Sequence, residues 1–446
     1  MKDTLTIDAI RNCLEGVIPA AIATCDPDGT PNVSLLSQVH YVDGAHVALS
    51  YQFFNKTRRN ILAHPFATVQ VIDPATVAQY RLHLRYLHTE TGGPLFESMK
   101  AKLSGIASHA GMQGVFRLMG ADLYRVERIE EVPGTTLPPP VGRRSLLPVV
   151  RRSCERLAAC ADLCELLDTA LAALKDDFGI EHALVLMADE AAGRLYTVAA
   201  MGHAVSGVGS EVALGDGVIG VAARERTPIR ITHMTSEYSY SQAVRASATD
   251  AGVAFAAREI PFPGLAEPHS QLAVPILAGP RLAGVLFVES PQELRFCYDD
   301  EDALATLAAQ MGAMMAALPQ AAAPAEEAPA GGAVAAGGGA AAVIRHYAAD
   351  DSVFIDHDYL IKGVAGAIFW KLARDYVHHG RTDFTNRELR LAPDIPLPYF
   401  AENLEARLIL LQRRLAERCA FLGIEKTGRG RFRLAVQRPL ALEEMV

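Results

Sequence analysis

Long apolar runs are missing from this chain. Half of its 446 residues are hydrophobic, but they are scattered Ala, Leu and Val, and no stretch approaches the roughly 20 residues of a membrane-spanning helix. That pattern excludes a membrane span. The N-terminal stretch MKDTLTIDAIRNCLEG mixes acids among its apolar residues and lacks the apolar centre of a secretory leader, so it reads as mature protein with a cytoplasmic location. A cysteine framework is also missing. The seven cysteines are unevenly spaced, which suits a reducing compartment. The single cluster is Cys154, Cys160 and Cys164. Cys160 and Cys164 are close enough to share a helix face for a metal or redox role, but buried apolar positions on a helix stripe account for them more simply. There is no excess of positive charge either. Lys and Arg number 42 against 51 Asp and Glu, a net charge of −9, which excludes a chain-wide nucleic-acid surface and leaves room for one basic domain.

What is present divides at two breaks. TTLPPPVGRR (135–144) is too rich in proline to continue an element. Residues 319–342, PQAAAPAEEAPAGGAVAAGGGAAA, have almost nothing to bury and read as a flexible linker. Three globular segments are expected, at 1–134, 145–318 and 345–446.

In the first, AAIATC and NVSLLSQVHYV flank the turn signal DPDG, and HVALSYQFF and ATVQVID continue the strand pattern. Short strands in this number suggest a small antiparallel barrel. Between the last two, KTRRNILAHP is a short helix that Pro65 ends. Lys56, Arg58 and Arg59 crowd its start, where the helix dipole already places positive charge. An anion held there, also by the backbone N–H groups of Thr57 and Arg58, relieves the conflict.

The run AAIATCDPDGTPNVS followed by HVALSYQFFNKTRRNILAHPFATVQVID resembles the FMN-binding split barrel of the pyridoxamine 5'-phosphate oxidase-like superfamily, over roughly residues 10–130. The resemblance implies FMN as cofactor and a homodimer with flavin at its interface. Asn32, Val33, Ser34 and Leu35 would line the isoalloxazine ring. Ser50 and Tyr51 would border the ribityl chain, and Asn55, Lys56 and Thr57 would hold the phosphate with Arg58 or Arg59. Asn32 and Ser37 stand where the family's oxidases carry basic residues, and no C-terminal Trp- and Arg-containing segment closes the barrel. FMN binding is thus implied without pyridoxamine phosphate oxidation. In QYRLHLRYLHTE, alternation puts Arg81, His83 and Arg85 on one face, which either approaches the flavin through Arg81 or His83 or is a solvated barrel face. His40 and His64 leave a haem-binding barrel as the alternative.

In the second segment a long amphipathic helix, SCERLAACADLCELLDTALAALKDDFGI, precedes a hairpin, a Gly-punctuated turn and helix, two strands and a final helix that Asp299 or Asp300 can cap. LGDGVIGVAARERTPIRI and SQLAVPILAGPRLAGVLFVES resemble a GAF domain, an α/β sandwich with an antiparallel sheet. The resemblance implies a regulatory domain with a small-molecule pocket under a covering segment, where Tyr238, Tyr240 and Arg258 are the candidates. Phe296, Asp300 and Glu301 match half of the cyclic-nucleotide pattern of that family. Ser290 and Pro291 stand where its other half would be.

In the third segment Ile368, Leu372 and Tyr376 recur at helical spacing, Gly380 can end that helix, and Thr385 or Asn386 can cap a short one. NLEARLILLQRRLAER is strongly amphipathic, and IEKTGRGRFRLAV reads as a hairpin turning at Thr427 to Gly430. FTNRELRL, LILLQRRLAER and IEKTGRGRFRLAV resemble a winged helix of the response-regulator DNA-binding type. By that resemblance Arg407, Arg413 and Arg414 would face a DNA groove and Arg429 and Arg431 a flanking phosphate. Docking to a protein is the other reading, and Glu402 and Glu405 weigh towards it.

The chain thus reads as a multidomain α+β protein: split barrel, GAF sandwich, winged helix. A cytoplasmic FMN-binding sensor with output to DNA or a protein is the expectation, and a flavin-dependent oxidoreductase with a regulatory GAF domain is the alternative.

Overall fold

A computed structural model describes residues 5–36, 38–51, 56–109 (backbone alone from 104), 118–138, 145–232, 260–318, 341–395 and 404–445. The first hairpin forms where the turn signal stands. β1 (Ala20–Cys25) and β2 (Pro31–Leu36) pair antiparallel across a loop in which the Asp26 carboxylate accepts from the N–H groups of Asp28 at 3.1 Å and Thr30 at 2.8 Å. Gly29 has a φ of +80°, which favours glycine there. β3 (Val39–Tyr41), β4 (His46–Tyr51), α1 (Lys56–Ala63), β5 (Phe66–Ile72), β6 (Gln79–Glu90), α2 (Pro94–His109) and β7 (Gly120–Val132) complete the domain. The sheet runs β2-β1-β5-β6-β7-β4-β3, with every pair antiparallel. It encloses Ile22, Val47, Leu49, Val69, Leu82, Leu84 and Tyr124, closed at one end by Ile10 and Leu14.

The long helix expected at the start of the second segment is two helices. α3 (Leu147–Ala158) stops, and α4 (Leu163–Asp176) restarts because the Asp162 side chain accepts from the N–H of Glu165 at 3.0 Å. A short polar side chain that bonds locally competes with helix continuation and makes a good cap. β8 (His182–Asp189), β9 (Arg194–Met201), β10 (Glu211–Ala213), α5 (Gly217–Glu225), β11 (Ile229–Ile231), β12 (Ser270–Ala278), β13 (Arg281–Ser290) and α6 (Tyr298–Ala317) follow. Their sheet order is β10-β9-β8-β13-β12-β11. α3, α4 and α6 pack on one face and α5 on the other. The cap of α6 is Cys297, and Asp300 returns to the Cys297 N–H at 3.0 Å.

The third segment opens with strands that periodicity did not reveal: β14 (Ala342–Tyr347), β15 (Ser352–Ile355) and β16 (Asp358–Ile361). α7 (Gly363–His379) ends at Gly380, whose φ is +63°. β17 (Asp383–Thr385) leads into α8 (Asn386–Leu391), started by a reciprocal Thr385–Glu388 cap. α9 (Leu404–Arg418) is followed by the hairpin β18 (Leu422–Gly428) and β19 (Arg431–Val436), and by β20 (Leu440–Met445), which returns parallel to β14. Two sheets result, β16-β15-β14-β20 and β17-β19-β18. Among the described residues no helix is long and apolar enough to cross a membrane.

Candidate functional site

α1 begins Lys56-Thr57-Arg58 and has no acid in its first turn. Its N-terminus lies against β2. The buried Thr57 hydroxyl accepts from the Asn32 amide at 2.9 Å and shares a hydrogen bond of 2.9 Å with the Ser34 hydroxyl. Strand alternation explains this pairing, because residues two apart share a face. The same alternation sends Val33 and Leu35 to the opposite face, 69% and 80% exposed. The four residues expected along one ring surface are therefore split, two against α1 and two on an open sheet face.

Arg58 is committed elsewhere. Its guanidinium pairs with Asp122, donates to the Thr89 hydroxyl at 2.8 Å and lies 4.5 Å from the Tyr51 ring centre. Thr89 and Asp122 are cross-strand partners on β6 and β7, and Thr89 donates to the same carboxylate at 2.5 Å. Burial raises the Asp122 carboxyl above its ordinary range, and the bonds from Thr89 and Arg58 only partly offset it. Ser50 and Tyr51 end β4 opposite Ala121 and Gly120. Gly120 is required there, since an added Cβ would stand 2.5 Å from the Thr89 methyl. Asn55 lies outside the described residues. Arg81 does not join this group: it sits on β6, separated from β2 by β1 and β5, 3.9 Å from Glu130.

The assembled set is therefore Asn32, Ser34, Thr57 and Lys56, with Arg58, Ser50 and Tyr51 behind it. Two hydroxyls, a side-chain amide, an ammonium and the positive end of a helix suit a phosphate. Sequence reading missed Asp122, Thr89 and Tyr86, whose hydroxyl is 2.7 Å from that of Thr89. No local signal marks them, because strand register brings them together. The two histidines considered for haem have separate surroundings. His64 Nδ1 is 3.7 Å from the Cys25 thiol, whereas His40 stands edge-on to Tyr298.

A second polar cluster joins the barrel to the GAF segment. Arg230 donates to Glu15 at 2.7 Å and to Glu301 at 2.7 Å, and its guanidinium lies 4.3 Å from the Tyr298 ring centre. Glu15 also accepts from the Tyr298 N–H at 2.9 Å. Lys102 donates to the Leu14 carbonyl at 3.1 Å and is 3.8 Å from Glu15. Burial pulls the Lys102 ammonium down, Arg230 pulls it further, and Glu15 only partly restores it, leaving it at about 8. Burial would raise Glu15, but Arg230 and Lys102 outweigh it and hold the carboxyl below its usual range.

Tyr238, Tyr240 and Arg258 lie outside the described residues. The C-terminal arginines are not where a groove-facing helix would put them. Arg407 pairs with Asp189 at the end of β8 and stacks 3.7 Å from the Tyr196 ring centre. Arg413 donates to Asp168 at 2.6 Å and to the Val198 carbonyl at 2.9 Å. Arg414 is buried, with its hydrogen bonds inside its own domain, to the Leu360 carbonyl at 3.1 Å and Glu417 at 3.2 Å. An amphipathic pattern shows which side of a helix faces away from its own core, not whether another domain covers it. Arg429 is exposed at the hairpin turn and Arg431 half-buried beside it.

Residues 6–118 match the family model described as Pyridoxamine 5'-phosphate oxidase, and residues 160–316 match that of the GAF domain. No curated protein matches the chain. Among solved structures, an FMN-binding protein from Syntrophomonas wolfei subsp. wolfei is 13% identical, aligned over 28% of this chain and 84% of its own, with a TM-score of 0.24. HupZ from Group A Streptococcus is 20% identical over 29% of this chain and 98% of its own, with a TM-score of 0.23. The GAF domain from an Acinetobacter phosphoenolpyruvate-protein phosphotransferase is 20% identical over 42% of this chain and 100% of its own, with a TM-score of 0.31. The chain carries a pyridoxamine 5'-phosphate oxidase-type N-terminal domain followed by a central GAF domain.

Proposed function

We propose that this protein is an FMN-binding sensor, in which the barrel holds the flavin, the GAF domain receives a small-molecule signal, and the C-terminal segment is a winged-helix output domain for duplex DNA. The observation that carries the flavin reading is the Asn32–Ser34–Thr57 cluster at a cation-bearing, acid-free helix start. Lys56 and the first-turn N–H groups would neutralise the phosphate, and Thr57, fixed by Asn32 and Ser34, would orient it. Arg58, tied to Asp122, would keep Tyr51 in place beside the ribityl chain. When bound, FMN supplies a redox-active ring. The exposed Val33, Leu35 and Phe66 on the open sheet face support a homodimer that covers them.

Absorption spectra of the purified protein test this directly. Flavin bands are expected in the wild type, and Lys56→Glu should cut flavin retention on the order of tenfold or more, since it trades one charge-assisted contact for a repulsion. Thr57→Val should lower retention less while leaving far-ultraviolet circular dichroism unchanged. Flavin content unchanged in both variants would place the phosphate elsewhere. A wild-type protein that takes up no FMN would sink the reading.

A further inference from the structure

The C-terminal domain meets the GAF domain through a charge-matched surface. Its cations Arg407, Arg413, Lys426 and Lys362 face Asp189, Asp168, Asp162 and Glu211, with Arg413 to Asp168 at 2.6 Å and Lys362 to Glu211 at 3.3 Å. In each of these four pairs the cation comes from the C-terminal domain and the acid from the GAF domain. Arg407, Leu410 and Arg413 recur at near-helical spacing on the side of α9 turned to the GAF domain, Arg407 and Leu410 buried and Arg413 half-buried, with the exposed Glu417 at its edge. The side chains of Leu410 and Arg414 both come near Gly209, and Glu417 accepts from the Ser206 hydroxyl. The side chain of Arg407 is only 11% exposed, so nothing as wide as a duplex reaches this side of α9 while the domains touch.

Yet the contact is not sealed. A cleft lined by Asp162, Leu163, Cys164, Leu408, Ile409 and Arg431 enters between α4 and the α9–hairpin unit. Asp168 and Lys426 remain 64% and 59% exposed. Ion pairs of this kind are weak and are screened by salt.

We infer that the GAF domain holds the C-terminal domain in a closed, DNA-incompetent state, its acids Asp162, Asp168 and Asp189 occupying the places that backbone phosphates take when α9 and the β18–β19 hairpin bind a duplex. This rests on the proposed reading of the C-terminal segment as a DNA-contacting output domain. Arg and Lys side chains recognise carboxylate and phosphate oxygens with the same donors. One surface therefore serves both partners, and they exclude each other.

The experiment uses the full chain and the double variant Asp168→Arg/Asp189→Arg, which turns two attractions into repulsions and leaves the Asp162 cap of α4 intact. Small-angle scattering should show a compact wild type and an expanded variant. Fluorescence anisotropy with a labelled duplex of mixed sequence at low salt should show binding at least about tenfold tighter for the variant, weakening steeply as salt rises. Adding Arg407→Ala and Arg413→Ala should remove that gain. A gain that survives them comes from the introduced arginines and overturns the inference. A variant that stays compact also overturns it, because the ion pairs then do not hold the domain. Equal binding by wild type and expanded variant removes the occlusion but keeps the DNA output. An expanded variant that binds no duplex removes the output reading and the inference with it, and leaves the flavin assignment untouched.

Discussion

Two junctions hold the three domains together, and all the charges of the second but the Arg407–Asp189 pair are much more exposed than those of the first. Between barrel and GAF domain, Arg230 and Lys102 are 3% and 2% exposed, and Glu15 is 8%. Between GAF and C-terminal domains, Arg413 and its partner Asp168 are 21% and 64% exposed. A buried charge loses its hydration and persists only where every partner is in place, so breaking the set leaves an uncompensated ion in a dry interior. An exposed pair can be made and broken at little cost. The first junction therefore behaves as a permanent joint that makes barrel and GAF domain one unit. The second can open.

The sharpest way to break this contrast is to remove Glu15. Glu15→Ala strands Arg230 and Lys102 beside each other with Glu301 as the remaining acid. Truncating one partner of a buried pair typically costs about 3–5 kcal/mol. Urea unfolding should show a loss of that size, with barrel and GAF signals ceasing to unfold together. A loss below about 1 kcal/mol would mean that water reaches the cluster and that the two junctions do not differ in kind.

Lys102 gives a second, pH-resolved test. Burial, then Arg230, depress its ammonium to about 8 from an ordinary 10.5. Between those values the unfolded chain binds a proton that the folded chain lacks, so stability rises with pH across the window. Below the lower value both states are protonated and the cost of the buried charge is fully present. The rise attributable to this group should be on the order of 1–3 kcal/mol, and Lys102→Met should abolish it. Unfolding free energies at a series of pH values would show parallel curves for the two proteins if Lys102 were an ordinary surface lysine.

How much of this could be read from the chain depends on the range of the interaction. The β1–β2 hairpin, α1 and the helix, short helix, long helix and hairpin of the third segment were legible because turn residues, caps and apolar spacing act within a few positions, whereas α6 is capped by Cys297 and not by the expected Asp299 or Asp300. The pairing of Thr57 with Asn32 and Ser34 is half visible, since strand alternation puts Asn32 and Ser34 on one face but nothing in the sequence places α1 against it. Arg230 stands between Ile229 and Ile231 in a three-residue strand, and Glu15 follows the seven-residue 3₁₀ segment Asp8–Leu14. Nothing near either residue announces the other. The Thr89–Asp122 support of Arg58 depends on the β6–β7 register, which shifts at bulges between His83 and Leu84 and between Tyr86 and His88. The division of α3 from α4 was legible in principle, from Asp162 three residues before Glu165.

The smallest expected effects lie at the second junction, and they divide it internally. Arg413→Ala removes an ion pair whose acid, Asp168, is largely exposed, and a bond to the Val198 carbonyl. Such pairs contribute about 0–1 kcal/mol, falling with salt. Arg407→Ala should cost more, by roughly 1–2 kcal/mol, because its guanidinium is nearly buried and stacks on Tyr196. Tyr196 reports on this contact. Burial raises its hydroxyl to about 12 while Arg407 pulls it down, so Arg407→Ala should move the Tyr196 titration further up and Arg413→Ala should leave it in place. Spectrophotometric titration of the two variants against wild type reads the difference. Equal and small losses of stability, with no movement of the tyrosine, would mean that the Arg407–Tyr196 stack is as loose as the exposed pairs. The second junction would then be a uniformly weak contact with no anchor at α9.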